Sequence, residues 1–155
     1  MPTEDYKVGF NLIGTAWIAS WGARYPSKNE SVRNYRLTEI DIPIIALDEC
    51  NERLKTQGNA KLQVTDLTLC TLEGGIKGVC FLDWGAPLFL IKNESYMVQV
   101  GIFSFVPKQP SKCGTENRVD IFTRVSRYLG WIHRRISSCG NHRFHNITKV
   151  SEFEY

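Results

Sequence analysis

Short hydrophobic segments separated by turn-forming residues constrain the fold of this chain most. Six such segments carry β-branched and aromatic side chains, and stretches rich in glycine, proline, serine, lysine and asparagine lie between them. This pattern predicts an all-β domain in which about six strands form one small barrel. The predicted strands are Gly14–Trp21, Tyr35–Ile42, Thr68–Cys70, Pro87–Ile91, Tyr96–Phe105 and Arg118–Thr123.

Two further segments predict helices. Leu47–Leu54 carries two acidic residues near its start, where negative charge suits the positive end of a helix dipole. In Arg124–Ile136, apolar residues recur three or four positions apart on one face, and Thr123 is placed to cap the first turn. The second prediction puts a helix at the end of the barrel.

The composition describes one domain with a basic end. At 155 residues and 43% hydrophobic content the chain can form one core. Its longest apolar runs fall far short of the roughly 20 residues that span a bilayer, so no membrane association is predicted. Residues 124–149 hold six Arg or Lys and no Asp or Glu, which favours a solvated helix face over a nucleic-acid site. We predict a domain over residues 1–136 and a basic, mobile tail over 137–155.

Cysteines and glycosylation sequons indicate an oxidising compartment. The chain has five cysteines, and Asn29, Asn93 and Asn146 each begin an Asn-x-Ser/Thr sequon. The first residues have neither the basic nor the apolar region of a signal peptide. These observations together predict a secreted protein of which this sequence is a C-terminal part or a shortened isoform.

The most informative stretch is Cys80–Leu88, which reads Cys-Phe-Leu-Asp-Trp-Gly-Ala-Pro-Leu. Val-Gly-Ile-Phe-Ser-Phe follows at Val100–Phe105, and Ile121–Ile132 carries Phe-Thr-Arg-Val, a tyrosine and Trp-Ile. In this order the motifs resemble the C-terminal half of a trypsin-like serine protease, which has Cys-x-Gly-Asp-Ser-Gly-Gly-Pro-Leu around its nucleophile. The resemblance covers roughly residues 12–136. It implies the second, six-stranded Greek-key barrel of that fold, with its C-terminal helix.

The resemblance places Trp84 at the position of the nucleophilic serine. An indole has one N–H donor and no nucleophilic lone pair, so no acyl-enzyme can form there. Leu82 stands where the family has the glycine of the oxyanion hole, and a side chain disfavours the positive φ that glycine adopts freely. Asp83 matches a family carboxylate that receives a freed N-terminal amine, which this chain lacks. We expect Asp83 to be a satisfied, buried hydrogen-bond acceptor.

The family's catalytic histidine and aspartate are also missing from this sequence. They belong to the N-terminal barrel, whereas His133, His142 and His145 lie near the C-terminus and outside any matching motif. No catalytic residue is therefore predicted. The alternative is an active endopeptidase whose catalytic histidine and aspartate lie in a missing N-terminal half, but no upstream sequence restores the serine. A third possibility is a product without any binding role.

The resemblance also implies a substrate pocket and two disulfides. Glycine at the pocket floor replaces the aspartate of trypsins, and the side chains on the walls are expected to narrow or fill the pocket. The disulfide pairs implied are Cys50 with Cys70 and Cys80 with Cys113, which leaves Cys139 for a second chain or a missing segment. The pocket positions are Gly78, Ser104, Phe105, Val106 and Asp120.

Other binding chemistry receives little support from the sequence. Cys139, His142 and His145 are three residues apart but have no fourth ligand nearby, so no metal or cofactor is predicted. Trp17, Trp21 and Trp131 are expected to pack in the core. The sequence therefore predicts an inactive protease homologue that binds a protein: a protease, a protease substrate or an inhibitor.

Overall fold

The computed structural model describes residues 14–24, 32–33, 35–74, 79, 82–93, 96–107 and 116–138. Within them a six-stranded barrel is followed by a helix. The elements are β1 (Gly14–Ser20), β2 (Ala23–Arg24), β3 (Val32–Arg33), β4 (Thr38–Ile45), α1 (Leu47–Thr56), β5 (Thr68–Leu72), β6 (Pro87–Asn93), β7 (Tyr96–Phe105), β8 (Val119–Arg124), a 3₁₀ turn (Val125–Tyr128) and α2 (Leu129–Ser138).

The barrel strands follow the order β1, β4, β5, β8, β7, β6, and β6 pairs with β1 to close the barrel. Every pairing is antiparallel. Because β5 pairs with β8 and not with β6, the next barrel strand in sequence, the chain crosses one end of the barrel as in a Greek key. The predicted all-β barrel with a C-terminal helix is confirmed.

The largest corrections to the predicted boundaries concern two elements. β4 begins and ends three residues later than expected, because Pro43 lies inside the strand, opposite Thr15. The predicted helix over Arg124–Ile136 begins as the 3₁₀ turn, and α2 runs only from Leu129 to Ser138. Thr123 caps neither element, since it belongs to β8.

One further element lies where the sequence predicts only a loop. Ala23–Arg24 pairs with Val32–Arg33 in a small two-stranded sheet beside the barrel. Its strands have two residues each, too short for the alternation of side chains to show in the sequence. This sheet directly follows Gly22, which contacts the candidate site described below.

Two hydrophobic clusters lie on opposite faces of strands β5 and β8. Leu69 and Phe122 belong to the larger cluster inside the barrel, and Phe103 packs on Phe122 with ring centroids 5.4 Å apart. Cys70 and Ile121 point the other way and join a second cluster beneath α1. β8 is therefore buried on both faces, although it carries the charged residue Asp120.

A disulfide joins α1 to the barrel. Cys50 of α1 bonds to Cys70 of β5, with a Cα–Cα distance of 6.2 Å and a sequence separation of 20 residues. This confirms the first pairing implied by the resemblance. The second, Cys80 with Cys113, lies outside the described residues, as do Cys139 and the tail from residue 139 onward. Neither helix of the described chain is long and apolar enough to cross a bilayer.

Candidate functional site

The candidate site is the Trp84 turn, defined here as residues 82–86, which leads into β6. Three backbone hydrogen bonds fix its shape. Ala86 N–H donates to the carbonyl of Asp83 (2.8 Å), and Gly85 N–H donates to that of Phe103 (3.0 Å). Phe103 N–H donates back to the carbonyl of Ala86 (2.9 Å). The turn is therefore held against β7, whose Phe103 side chain is part of the barrel core.

Asp83 anchors the turn from the other side. Gly22 N–H donates a buried hydrogen bond of 2.9 Å to Oδ1 of Asp83, linking segments 61 residues apart. Asp83 is only 7% exposed, so it is the buried acceptor that the sequence predicts. Gly22 has no room for a side chain, because an ideal Cβ there would overlap the carboxylate of Asp83. Glycine at this position is thus required by close approach.

Leu82 adopts a left-handed backbone, with φ of +73°. The sequence indicated that its side chain would oppose a positive φ, and the structure corrects this expectation, because φ is positive. A non-glycine residue in this region costs on the order of 1 to 2 kcal/mol. The rest of the turn, including Gly85 at φ of +85°, supports this strained backbone.

Trp84 projects from the turn into solvent. Its side chain is 56% exposed, and the neighbouring Leu82 is 55% exposed. Trp21, directly before the glycine that bonds Asp83, is 60% exposed. The expected core packing of tryptophan is thus wrong for Trp21, and also for Trp131 of α2, which is 54% exposed beneath the guanidinium of Arg135. Trp17 of β1 is half-buried.

The predicted pocket positions have different surroundings in the structure. Gly78 lies outside the described residues. Ser104 and Phe105 end β7 with exposed side chains, whereas Val106 packs against the barrel core. Asp120, on β8, is completely buried.

Asp120 belongs to a buried ionic cluster formed around Arg118. Nη2 of Arg118 lies 2.6 Å from Oε1 of Glu73 and 2.9 Å from Oδ1 of Asp120. Nε of Arg118 also donates to that Oδ1, at 3.1 Å, and Nη2 donates to the carbonyl of Val79. The side chains of Arg118, Glu73 and Asp120 are all 0% exposed in these pairs. Such a cluster is stable only when each charge is compensated.

Sequence analysis missed Arg118 and Glu73 as members of this cluster. A backbone hydrogen bond also joins the two residues: Glu73 N–H donates to the carbonyl of Arg118 at 2.7 Å. The available signal was the spacing of Arg118 and Asp120, two positions apart around an apolar strand start, which puts both side chains on one face. Nothing in the sequence indicated Glu73, 45 residues earlier.

Burial raises the pKa of Asp120 to about 7, against an ordinary value of 3.8, although its contacts with Arg118 act in the opposite direction. The charge of Asp83 adds a smaller upward effect. Among the residues that the structure describes, neither Oδ2 of Asp120 nor Oγ1 of Thr71 has a hydrogen-bond partner. Thr71 lies opposite Asp120 in the β5–β8 register. The cluster therefore contains more acceptor capacity than Arg118 uses.

This pKa predicts a pH dependence of stability. The folded state binds the Asp120 proton more tightly than the unfolded state does, so this group contributes stability that is full below pH 4 and lost as the pH rises to about 7. We expect the free energy of unfolding of the wild type, relative to Asp120→Asn, to fall between pH 4.5 and 8. Urea titrations of both proteins across this pH range measure the two free energies of unfolding. An advantage of the wild type over Asp120→Asn that increases with pH would contradict the prediction.

The family assignment rests on comparison as well as geometry. The trypsin family profile matches residues 9–132, and the chain belongs to this family of serine endopeptidases. It is 32% identical to human serine protease 41 over 83% of this chain and 39% of that protein. It is 27% identical to phenoloxidase-activating factor 1 of Holotrichia diomphalia (87% and 33%), and 28% to human testisin (80% and 38%). The chain thus matches well under half the length of these relatives.

Proposed function

We propose that this chain is a catalytically inactive member of the trypsin family that acts outside the cell by binding a protein partner. The observation that carries the proposal is the side chain at the nucleophile position, an exposed tryptophan on an ordered turn. An indole cannot attack a carbonyl carbon, whereas its large, rigid, partly apolar surface suits protein contact.

The surroundings of Trp84 support binding. Leu82 and Trp21 are also more than half exposed, and the Asp83–Gly22 hydrogen bond brings their two segments together. Three large apolar side chains therefore belong to segments that meet at this bond. Tryptophan is enriched among the residues that dominate binding energy at protein interfaces. We infer that this surface, named here the Trp84 face, contacts a protease, a protease substrate or an inhibitor.

The alternative function is an endopeptidase completed by a histidine and an aspartate from an N-terminal half. Leu82 favours it, because its φ of +73° is positive, as the resemblance implies for the glycine of the oxyanion hole. Trp84 weighs against it more heavily, because the position of the nucleophile lies in this chain and holds a tryptophan, which no N-terminal half can replace.

Disulfide-bonded trypsin-like proteins are typically secreted or extracellular, and the Cys50–Cys70 bond supports that location here.

Trp84→Ser should not create a protease. A serine hydroxyl without a general base is a weak nucleophile at pH 7, and the one histidine within the described residues, His133, lies on α2. We expect no turnover of arginyl, tyrosyl or alanyl esters above the buffer rate, with or without Leu82→Gly. Titrated trypsin is the positive control. Turnover abolished by changing His133, His142 or His145 would contradict the proposal.

Site-specific photo-crosslinking tests the binding role. A benzophenone amino acid placed at position 84 should yield one crosslinked partner from the extracellular fluid in which the protein occurs. Excess wild-type protein should compete with this product, and the Trp84→Ala/Leu82→Ala variant should not. The matched control carries the same group at Glu52, an exposed position of α1. Equal crosslinking from positions 84 and 52, or none that the wild type competes with, would overturn the proposed function.

A further inference from the structure

We propose that Glu73 and Asp120 form an internal guanidinium-binding cavity, which Arg118 of the same chain occupies. The site is built from two carboxylates and the carbonyl of Val79, all of which contact one guanidinium. Both carboxylate side chains are fully buried in these pairs. The cavity therefore selects its cation in the absence of competing water.

The contacts fit a guanidinium better than an ammonium ion. Nε of Arg118 donates to Oδ1 of Asp120, and Nη2 donates to Oε1 of Glu73 and to the carbonyl of Val79. These donors are spread over two nitrogens of a planar group, whereas an ammonium is a compact point charge with strong hydration. Oδ2 of Asp120, which has no hydrogen-bond partner within the described part of the chain, is a further acceptor in the cavity.

The backbone delivers Arg118 into the cavity. Glu73 N–H donates to the carbonyl of Arg118, and Asn117 N–H donates back to the carbonyl of Glu73 at 3.0 Å. Asn117 has a left-handed backbone with φ of +64°, a conformation that asparagine tolerates at turns. The turn before β8 therefore holds Arg118 beside its two carboxylates.

The cavity lies at positions that the family resemblance assigns to the substrate pocket, so it affects how a partner can be recognised. Asp120 occupies a position that the family resemblance assigns to the pocket wall, and Val79 follows the floor position, Gly78, in sequence. A guanidinium that contacts both residues occupies the acidic site that these described residues would otherwise offer to a partner's arginine or lysine. Partners would then be recognised by surface contacts rather than by a basic side chain inserted in the barrel. The cavity stands on the buried cluster alone and does not depend on the role of the Trp84 face.

Chemical rescue tests the cavity directly. Arg118→Ala removes the guanidinium and leaves both carboxylates with space beside them. We expect methylguanidinium chloride to raise the melting temperature of this variant saturably, by roughly 3 to 6 °C at about twenty times its Kd. Ethylammonium chloride at the same ionic strength should give a much smaller shift. Neither salt should stabilise the wild type, in which Arg118 fills the cavity.

Two variants make the result specific. Arg53→Ala frees a surface carboxylate, Glu49, from its pair at 2.8 Å and should show no rescue. Arg118→Ala/Asp120→Asn should lose most of the methylguanidinium response. If Arg118→Ala folds poorly, its refolding yield in the two salts replaces the melting temperature. Equal effects of the two salts on Arg118→Ala, or no effect of either, would overturn the proposed cavity.

Discussion

Arg118→Met should destabilise the protein by about 3 to 5 kcal/mol, the cost typical of removing one partner from a buried ion cluster. The methionine fills much of the volume of arginine but carries no charge. Glu73 and Asp120, both completely buried, would lose the cation that compensates them. Urea denaturation of the variant and the wild type at pH 7.5 measures the difference.

Arg53→Met is the matched control for this effect. Arg53 makes an ion pair with Glu49 one helical turn away, and their side chains are 33% and 44% exposed. An exposed pair of this kind contributes about 0.3 to 0.5 kcal/mol. Converting Glu73 and Asp120 to leucine beside Arg118→Met should recover stability, because no charge then stays buried. Similar losses for Arg118→Met and Arg53→Met would contradict this account of the cluster.

Gly22→Ala should have the second large effect, a loss of about 2 to 5 kcal/mol. The added Cβ would overlap the carboxylate of Asp83, which is buried and belongs to a tight turn. Displacing Asp83 forfeits its 2.9 Å hydrogen bond from Gly22 N–H and strains the packing around it. Thermal unfolding of the variant and the wild type, followed by circular dichroism, measures the loss of stability.

Gly74→Ala provides the comparison for the glycine substitution. An ideal Cβ on Gly74 meets no atom within 4 Å, so its cost should stay within about 0.5 kcal/mol. Asp83→Gly combined with Gly22→Ala should cost less than the sum of the two single changes, because the overlap disappears. Additive effects would show that the Asp83–Gly22 contact does not determine the requirement for glycine.

Local sequence patterns predicted the bounds of a strand well where the hydrophobic segment and the paired region have the same extent. β7 spans Tyr96–Phe105, as expected from a long run that pairs with both β6 and β8. The predicted strand end at Ile42 was wrong, because pairing with β1 continues through Pro43 to Ile44. Proline is tolerated in a strand where its missing N–H is not needed. Tertiary pairing, which no local pattern contains, fixed that boundary.

The sequence predicted which residues form the candidate site, but not the backbone conformation of Leu82 or the ion pair between Arg118 and Glu73. The motif around Trp84 predicted that Asp83 is a buried hydrogen-bond acceptor, as the structure has it. It gave no indication that Leu82 would have a positive φ, because a leucine side chain disfavours that conformation. The partnership of Arg118 with Glu73 joins distant segments and becomes visible only when β5 and β8 pair.

The central claim is that this trypsin-family domain carries no serine nucleophile. The most direct measurement is the intact mass of the purified chain after incubation with a fluorophosphonate, with active trypsin treated in parallel. We predict an unchanged mass for this protein and a complete single adduct for trypsin. A stoichiometric adduct on one serine of this chain, prevented by a competitive protease inhibitor, would contradict the account.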